Sequence, residues 1–353
     1  MNETENGVPV RQVAGAPGPP DGPYDADVII LALDRAEDTI AAIQSALGQT
    51  GASSHVTIVD QGSGQDALAR IAACVEGRTD ATLVALPRNL GVAGGRNLAA
   101  SMGHGRIIVG LDNDAEFNKP DTISRMTAIL DAKPDLAALG CRIVVDETGE
   151  DDLLSWGYPV AMLSRAGGTF LASTFVGAGH AIRRDAWLDA GGYDPALFFC
   201  WEEYDFCLRA IARGWRVHYQ GDLVIRHKVN PERRVTWAGD RWFHFVRNRL
   251  YIERKLGRSW LSLMPRMAGY CVKGARNGRL RDTPRALRAA MVMARGVTPV
   301  RLPPAALDYL YRTDTAQRGG RFSRFLREAL AALPAETSQA RDASILATRS
   351  EVR

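Results

Sequence analysis

The sequence predicts an α/β domain of the nucleotide-binding kind, built on a mixed but mainly parallel sheet and followed by a helical, basic extension. Three observations carry this. Short β-branched runs alternate with segments of 3.6-residue apolar period through the first 145 residues, two of those runs end abruptly in acids, and from Gly239 onward only helical periodicity continues. Strands alternating with amphipathic helices imply βαβ units, whose crossovers cover both faces of a parallel sheet.

In chain order, strands are expected at 27–33, 55–59, 81–86, 106–111 and 136–144, with helices at 36–47, 66–75, 93–102 and 121–130 between them. After about Val145 the pattern loosens into Gly-rich and aromatic segments. A clear helix follows at 202–213, then short strands at 216–219 and 223–225. Pro265, Pro284 and Pro303 punctuate the helical remainder. The organisation expected is therefore a polar, Gly/Pro-rich disordered leader (1–24), a nucleotide-binding half (25–145), an acceptor-binding half (146–238), a helical basic extension (239–333) and a flexible tail (334–353).

At 353 residues, with 46% apolar and 24% charged side chains, the chain has the composition of a soluble globular protein, and at about 150 residues per domain it has room for one large domain and an appendage. The net charge of +4 is unevenly placed: residues 254–301 hold 12 Lys/Arg against the single acid Asp282, a local +11 that leaves −7 for the rest. Such asymmetry points to a polyanionic partner or a membrane surface. The five cysteines lack paired C-x-x-C spacing, so neither a disulfide framework nor a zinc site is expected, and a reducing cytoplasm fits. Residues 1–24 contain no apolar run of a secretory signal. The uncharged stretch 166–182 is too broken by Gly, Thr, Ser and His to span a membrane.

The most informative local feature is Gly110-Leu111-Asp112-Asn113-Asp114, an apolar strand ending in two carboxylates one residue apart. Ligands of an open α/β sheet bind beyond the carboxyl ends of strands. Oxygen donors there favour a hard cation, Mn²⁺ or Mg²⁺, shared with substrate phosphates; taken alone, the pair also reads as solvated turn acids. Asp60, in Val59-Asp60-Gln61-Gly62-Ser63, is another strand-end acid, able to accept from a base or ribose or to cap the next helix. Arg88-Asn89-Leu90-Gly91 to Arg96-Asn97 combines turn glycines, two arginines and a helix start, so its amides and guanidinium groups are candidates to face a diphosphate. It is not G-x-G-x-x-G and lacks a P-loop lysine.

Further on, Trp201-Glu202-Glu203-Tyr204-Asp205 opens a helix with adjacent acids behind an aromatic run. A carboxylate in a first helical turn is held ionised by the helix dipole, which suits a general base and equally suits plain helix stabilisation. Asp205 and Arg209 have i,i+4 spacing for an ion pair. His227 follows the strand 223–225, where a neutral imidazole would complete the coordination of a cation on Asp112 and Asp114; alone, it reads as a surface or packing residue.

In order, these pieces resemble the inverting family 2 glycosyltransferases of GT-A fold over roughly Asp27 to Lys255. Leu33-Asp34-Arg35 stands where the family has Thr-Tyr-Asn or similar, and Ser45-Ala46-Leu47-Gly48-Gln49-Thr50 where it has Ser-Leu-x-x-Gln-Thr. Ile58 to Ser63 resembles Val-Val-Asp-Asn-Gly-Ser, whose acid contacts the nucleobase, and Asn89 to Asn97 resembles Asn-x-Gly-x-x-x-Gly-x-Asn. Asp112 and Asp114 match the D-x-D, and Glu202 to Phe206 the Glu-Asp-x-Asp-Leu motif, whose second acid is the base. Trp201 and Ile225-Arg226-His227 are similar to bacterial rhamnosyltransferases and galactofuranosyltransferases, in which the histidine binds metal.

The resemblance implies catalytic Glu203 with Glu202 beside it, a metal on Asp112, Asp114 and His227, and donor contacts from Leu33, Asp60, Arg88, Asn89, Gly91, Arg96, Asn97, Asp112 and Asn113. It places acceptor contacts at Gly177, His180, Trp201 and Glu202. The donor implied is a nucleotide-diphosphate sugar, UDP- or dTDP-linked, and the acceptor a glycan, lipid-linked or small-molecule hydroxyl. The enzyme is expected in the cytoplasm, peripheral at the inner face of the membrane through the basic helices, with no nucleic-acid partner. Two other readings make different demands. A nucleotidyltransferase would need a Gly-rich loop with Arg and Lys after the first strand, where Leu33-Asp34-Arg35-Ala36-Glu37 stands, and an inactive carbohydrate-binding protein would tolerate Asp114→Ala.

Overall fold

The computed structural model describes residues 2–3, 7–228, 240–318, 320, 329–330 and 333, in two compact units, one of residues 1–228 with 303–317 and one of 229–302 with 318–353. In the first unit the elements run β1 (Asn2–Glu3), β2 (Pro9–Gly15), β3 (Ala26–Ala32), α1 (Ala36–Leu47), β4 (Ser54–Asp60), α2 (Gln65–Val75), β5 (Ala81–Ala85), α3 (Gly91–Met102), β6 (Ile107–Leu111), β7 (Ala115–Phe117), α4 (Thr122–Ala132) and β8 (Leu136–Val145). They continue through β9 (Thr169–Ala172), β10 (Gly179–Arg183), α5 (Arg184–Ala190), α6 (Glu202–Ala212) and β11 (Arg216–His227).

The sheet order is β1-β2-β5-β4-β3-β6-β10-β8-β11-β7, with β9 pairing on β11. Pairs β3–β4, β4–β5, β3–β6 and β8–β11 are parallel, whereas β10 runs antiparallel between β6 and β8. The parallel strands read as continuous apolar runs because both of their faces are covered, and Val28, Ile30, Ile58 and Leu83 are fully buried in the core they share with α1 and α2. One buried charge cluster is knitted into it: Asp27, wholly inaccessible, accepts from the Gly105 amide at 2.8 Å, the Tyr24 hydroxyl and the Arg184 guanidinium. A buried carboxylate is tolerable only when so fully partnered.

The leader expectation fails at 9–15. Val8, Val10 and Ala14 alternate into the core while β2 pairs antiparallel with β5, covering what would be an open edge. The two short strands expected at 216–219 and 223–225 are one strand, β11, with a register irregularity between Gln220 and Val224; its first part pairs with β9 and its last residues with β7.

The second unit contains α7 (Asp240–Lys255), α8 (Trp260–Arg276) and α9 (Asp282–Met293), packed around Trp242, Val246, Leu250, Leu263, Tyr270, Ala286 and Ala290. Part of the helical extension expected over 239–333 lies in the other unit: α10 (Pro304–Leu310), just after the break at Pro303, belongs to the first unit, where the Tyr309 hydroxyl accepts the Val217 amide at 3.0 Å and lies 2.9 Å from the Ala172 carbonyl. The tail 334–353 lies outside the described residues.

Candidate active site

The carboxyl ends of β3, β4 and β6 and the start of α6 supply one constellation of acids and arginines. Asp112 and Asp114 occupy the turn between β6 and β7. Because β7 pairs with the end of β11 in a register that sets His227 opposite Ala115, the imidazole arrives beside Asp114, with Nε2 at 3.4 Å from Oδ1. The Lys228 amide closes the junction on the Asp114 carbonyl at 2.8 Å.

The other face of the imidazole is fixed by a residue that no motif marked. Nδ1 donates to Asp152 Oδ2 at 2.9 Å, and Asp152 is itself held by the Ser155 hydroxyl at 2.5 Å and the Leu154 amide at 3.1 Å. A carboxylate on Nδ1 sets the tautomer and directs Nε2 outward, the arrangement that orients metal-binding histidines. Burial disfavours the imidazolium, but the hydrogen bonds and charges of Asp114 and Asp152 outweigh it and lift His227 to about 9.

Arg96 joins the two halves. Its guanidinium, 4% exposed, reaches Asp112 Oδ1 at 2.7 Å, the Gly177 carbonyl at 2.8 Å and Glu203 Oε1 at 3.2 Å. Asp112 and Glu203, 91 positions apart in sequence, thus share one cation. A Cβ at Gly177 would lie 2.3 Å from Glu203 Oε1, so a side chain there would push the carboxylate off its present position. Burial pushes the Glu203 carboxyl above the ordinary range, with Arg96 opposing the shift. Glu202, 3% exposed, goes much further up through burial and repulsion from Glu203, and its Oε2 has no hydrogen-bond partner.

Several of the expected site residues are engaged within the protein. Arg96 spends its guanidinium on the two acids and the Gly177 carbonyl. The Val92 and Ala93 amides at the start of α3, expected to face a diphosphate, donate to the Phe198 carbonyl at 2.7 and 3.4 Å. Gly91 permits that approach, with φ of 75° and no room for a Cβ against Phe198. Asn97 spends both ends of its amide on the Tyr193 backbone, at 2.8 and 2.9 Å, and Asn113 donates to Thr39 at 3.2 Å. His180 is not at an open acceptor face: it is 1% exposed in β10, stacked on Phe175 and packed on Gly110, and burial drives its imidazole well below the usual range.

The remaining candidates stay at the rim. Leu33 is 40% exposed, Arg88 and Asn89 are exposed, and Trp201 is half-buried against Tyr204 at the start of α6. Asp60 is buried, accepts the Gly62 and Ser63 amides on Oδ1 at 3.1 Å each, and keeps Oδ2 without a partner. Asp205 pairs with Arg209 at 2.9 Å, the structural role its spacing allowed. Two residues had no role assigned by any motif: Gln61, whose side chain accepts the Leu90 amide at 3.0 Å, and Arg35, which donates to Asp114 Oδ2 at 2.8 Å from a left-handed backbone with φ of 52°. Phe198, Cys200 and Trp201, just before α6, also have positive φ, the stored strain typical of functional loops.

The donors fit a hard divalent cation in kind: two carboxylates and an oriented imidazole. Among the described residues no three such groups are closed into a ready cluster, because Arg96 and Arg35 each engage one acid of the pair. The groove of about 590 Å³ between α1 and α2, lined by Ile40, Leu47, Cys74 and Arg78, contains none of these acids.

Residues 27–191 match the Glycosyl transferase family 2 model. That segment is thus similar to a family 2 glycosyltransferase domain, and the sheet has the GT-A fold. Over 122 residues it is 35% identical to the succinoglycan biosynthesis protein ExoO of Rhizobium meliloti (strain 1021), a match covering 35% of this chain and 32% of that protein, so it spans about a third of the curated relative's length. Among solved structures, the mannosyltransferase PcManGT from Pyrobaculum calidifontis in complex with GDP-Man and Mn²⁺ aligns with TM-score 0.50 and 20% identity, covering 89% of this chain and 88% of that one. GalNAc-T7 with UDP, GalNAc and Mn²⁺ aligns with TM-score 0.53 and 13% identity, covering 88% and 57%. Glu203 and His227 lie beyond the matched segment and enter through geometry.

Proposed function

We propose that the protein is an inverting, metal-dependent glycosyltransferase that moves a sugar from a nucleotide-diphosphate donor to a hydroxyl of a glycan or lipid-linked acceptor. The observation that carries this reading is Arg96, which gathers the D-x-D acid Asp112 and the helix-start acid Glu203 into one site. The two aligned structures hold nucleotide or nucleotide-sugar with Mn²⁺, and the ExoO relative belongs to polysaccharide synthesis, which supports the donor class and a glycan product.

In this mechanism Glu203 accepts the acceptor's hydroxyl proton as the oxygen attacks the anomeric carbon and the diphosphate departs from the opposite face. A carboxyl raised above its usual range is a stronger base once ionised, and Arg96 keeps it ionised and aimed. Asp112, Asp114 and His227 would hold Mn²⁺ or Mg²⁺, which when bound supplies positive charge for the departing diphosphate. In this reading Asp60, one of whose carboxylate oxygens has no partner within the protein, accepts from the nucleoside. A single displacement inverts the anomeric centre. Five free cysteines agree with a cytoplasmic site of action.

The test is a panel of UDP-, dTDP- and GDP-sugars with Mn²⁺, scored for donor hydrolysis and transfer. Glu203→Gln should lower transfer by about 10²–10⁴-fold while donor binding persists. Donor binding with undiminished turnover in Glu203→Gln would remove Glu203 as the base, and no response to any donor would remove the transferase reading.

A further inference from the structure

Helix α8 presents two apolar faces. One is ordinary core: Leu263 and Tyr270 are buried against Trp242, Val246 and Ala286. The other lies in solvent. Leu261, Pro265, Ala268, Val272 and Ala275 follow one another at helical spacing along it, with Met264 alongside, and all are exposed; Leu261 is 77%, Met264 58% and Val272 45% accessible. The stripe holds no charged residue over about four turns, which is unusual for a helix whose opposite side is already satisfied.

Its surroundings are strongly basic. Arg276 is exposed at the edge of the stripe and Lys273 and Arg266 stand further round the same flank, while α9 exposes Arg285 and Arg288 together with Met291 and Val292. Across 254–301 the balance is 12 Lys/Arg to one acid. Apolar side chains beside cations match the two layers of an anionic bilayer, acyl chains below and phosphate headgroups above. The pairing also discriminates between occupants. A soluble polyanion would use the arginines and leave Leu261 and Met264 in water, and a second copy seated on the stripe would bring two +11 segments together. No helix among the described residues is long and apolar enough to cross a membrane, so α8 would lie in the interface plane.

We infer that the outer face of α8, with the arginines of α8 and α9 around it, is a docking surface for an anionic lipid bilayer. This inference uses no step of the transfer reaction. A Glu203→Gln protein, silent in transfer, docks as the wild type does.

Co-sedimentation with phosphatidylcholine vesicles, with and without phosphatidylglycerol, tests it on the full chain. Binding is expected only with phosphatidylglycerol and should weaken with salt, each Lys or Arg near the surface contributing roughly fivefold to partitioning. The triple substitution Leu261→Gln, Met264→Gln, Val272→Gln removes the stripe and keeps every charge. It should preserve the circular-dichroism spectrum and melting curve, since all three sites are exposed, and lower partitioning by at least about tenfold. Absence of binding to phosphatidylglycerol vesicles would overturn the inference. So would wild-type partitioning of the triple variant, which would leave a purely electrostatic surface, or a concentration-dependent dimer that the triple variant abolishes.

Discussion

Glu202 and Glu203 are neighbours in sequence with unlike surroundings, and their behaviour should separate accordingly. Glu203 shares Arg96 with Asp112; Glu202 is 3% exposed with an orphaned oxygen. Because burial raises the Glu203 carboxyl above its usual 4.5, the acidic limb of the transfer rate should lie above that value: the base works deprotonated, so activity falls as pH drops through the raised pKa. A kcat/KM profile whose limb sits at or below 4.5 would contradict the assignment. Glu202 bears on stability instead. Its folded pKa exceeds the unfolded one, so above 4.5 the folded state binds more protons and stability declines with rising pH until the folded pKa is passed. Glu202→Gln should therefore stabilise at pH 8 by about 1–3 kcal/mol and much less at pH 5, read from urea midpoints. Arg35 makes a third residue-scale prediction. It holds Asp114 Oδ2 at 2.8 Å and competes with any cation there, so Arg35→Ala should tighten Mn²⁺ binding about fivefold by calorimetry, the ~1 kcal/mol of a partly exposed pair. An unchanged or weaker affinity would show that the guanidinium does not compete.

At the scale of elements, the site depends on close approaches between segments remote in sequence. The start of α3 is locked to the loop before α6 through Gly91 and the Phe198 carbonyl, and that loop carries three left-handed residues within four positions. Gly91→Ala forces both a positive φ on a Cβ-bearing residue and a clash with Phe198, and should cost about 1–3 kcal/mol in unfolding measurements while lowering transfer, because α6 and Glu203 start from the same loop. A variant with unchanged melting and unchanged turnover would show that the loop repacks freely. The sequence exposed the elements better than their meetings. Alternating β-branched runs and amphipathic helices follow local rules, so the β3 to α4 series was legible, as was the D-x-D that ends β6. The bond between His227 and Asp152 was not, since it depends on the register of β7, β8 and β11 across 75 positions. Arg96 was visible as a guanidinium near a turn, but its burial between two acids follows from packing. β2 was hidden by the glycines and prolines around it, although the alternation of Val8 and Val10 is a strand signal.

For the whole molecule, the decisive topological fact is that the chain leaves the first unit after 228 and returns to it at 303. Periodicity alone groups 239–333 as one extension of helices broken at prolines, because it records that a segment is amphipathic and says nothing about which core receives its apolar side. The return is anchored by Tyr309, whose hydroxyl accepts the Val217 amide at 3.0 Å and reaches the Ala172 and Val217 carbonyls at 2.9 and 3.1 Å, between β9 and β11. β11 is the strand that ends in His227, so α10 bears on one end of the strand whose other end serves the site. Tyr309→Phe keeps the ring and removes the hydroxyl from a half-buried polar junction. It should destabilise the first unit by about 1–3 kcal/mol in urea unfolding. A chain ending at Leu302 loses α10 as a whole and should fall further, with weakened donor binding, although the second unit keeps the residues around Trp242 and Tyr270 and, among the described residues, loses only Leu333 from the side of that core. If the truncated chain matched the full-length protein in both stability and donor affinity, the segment 303–317 would have no part in supporting β11.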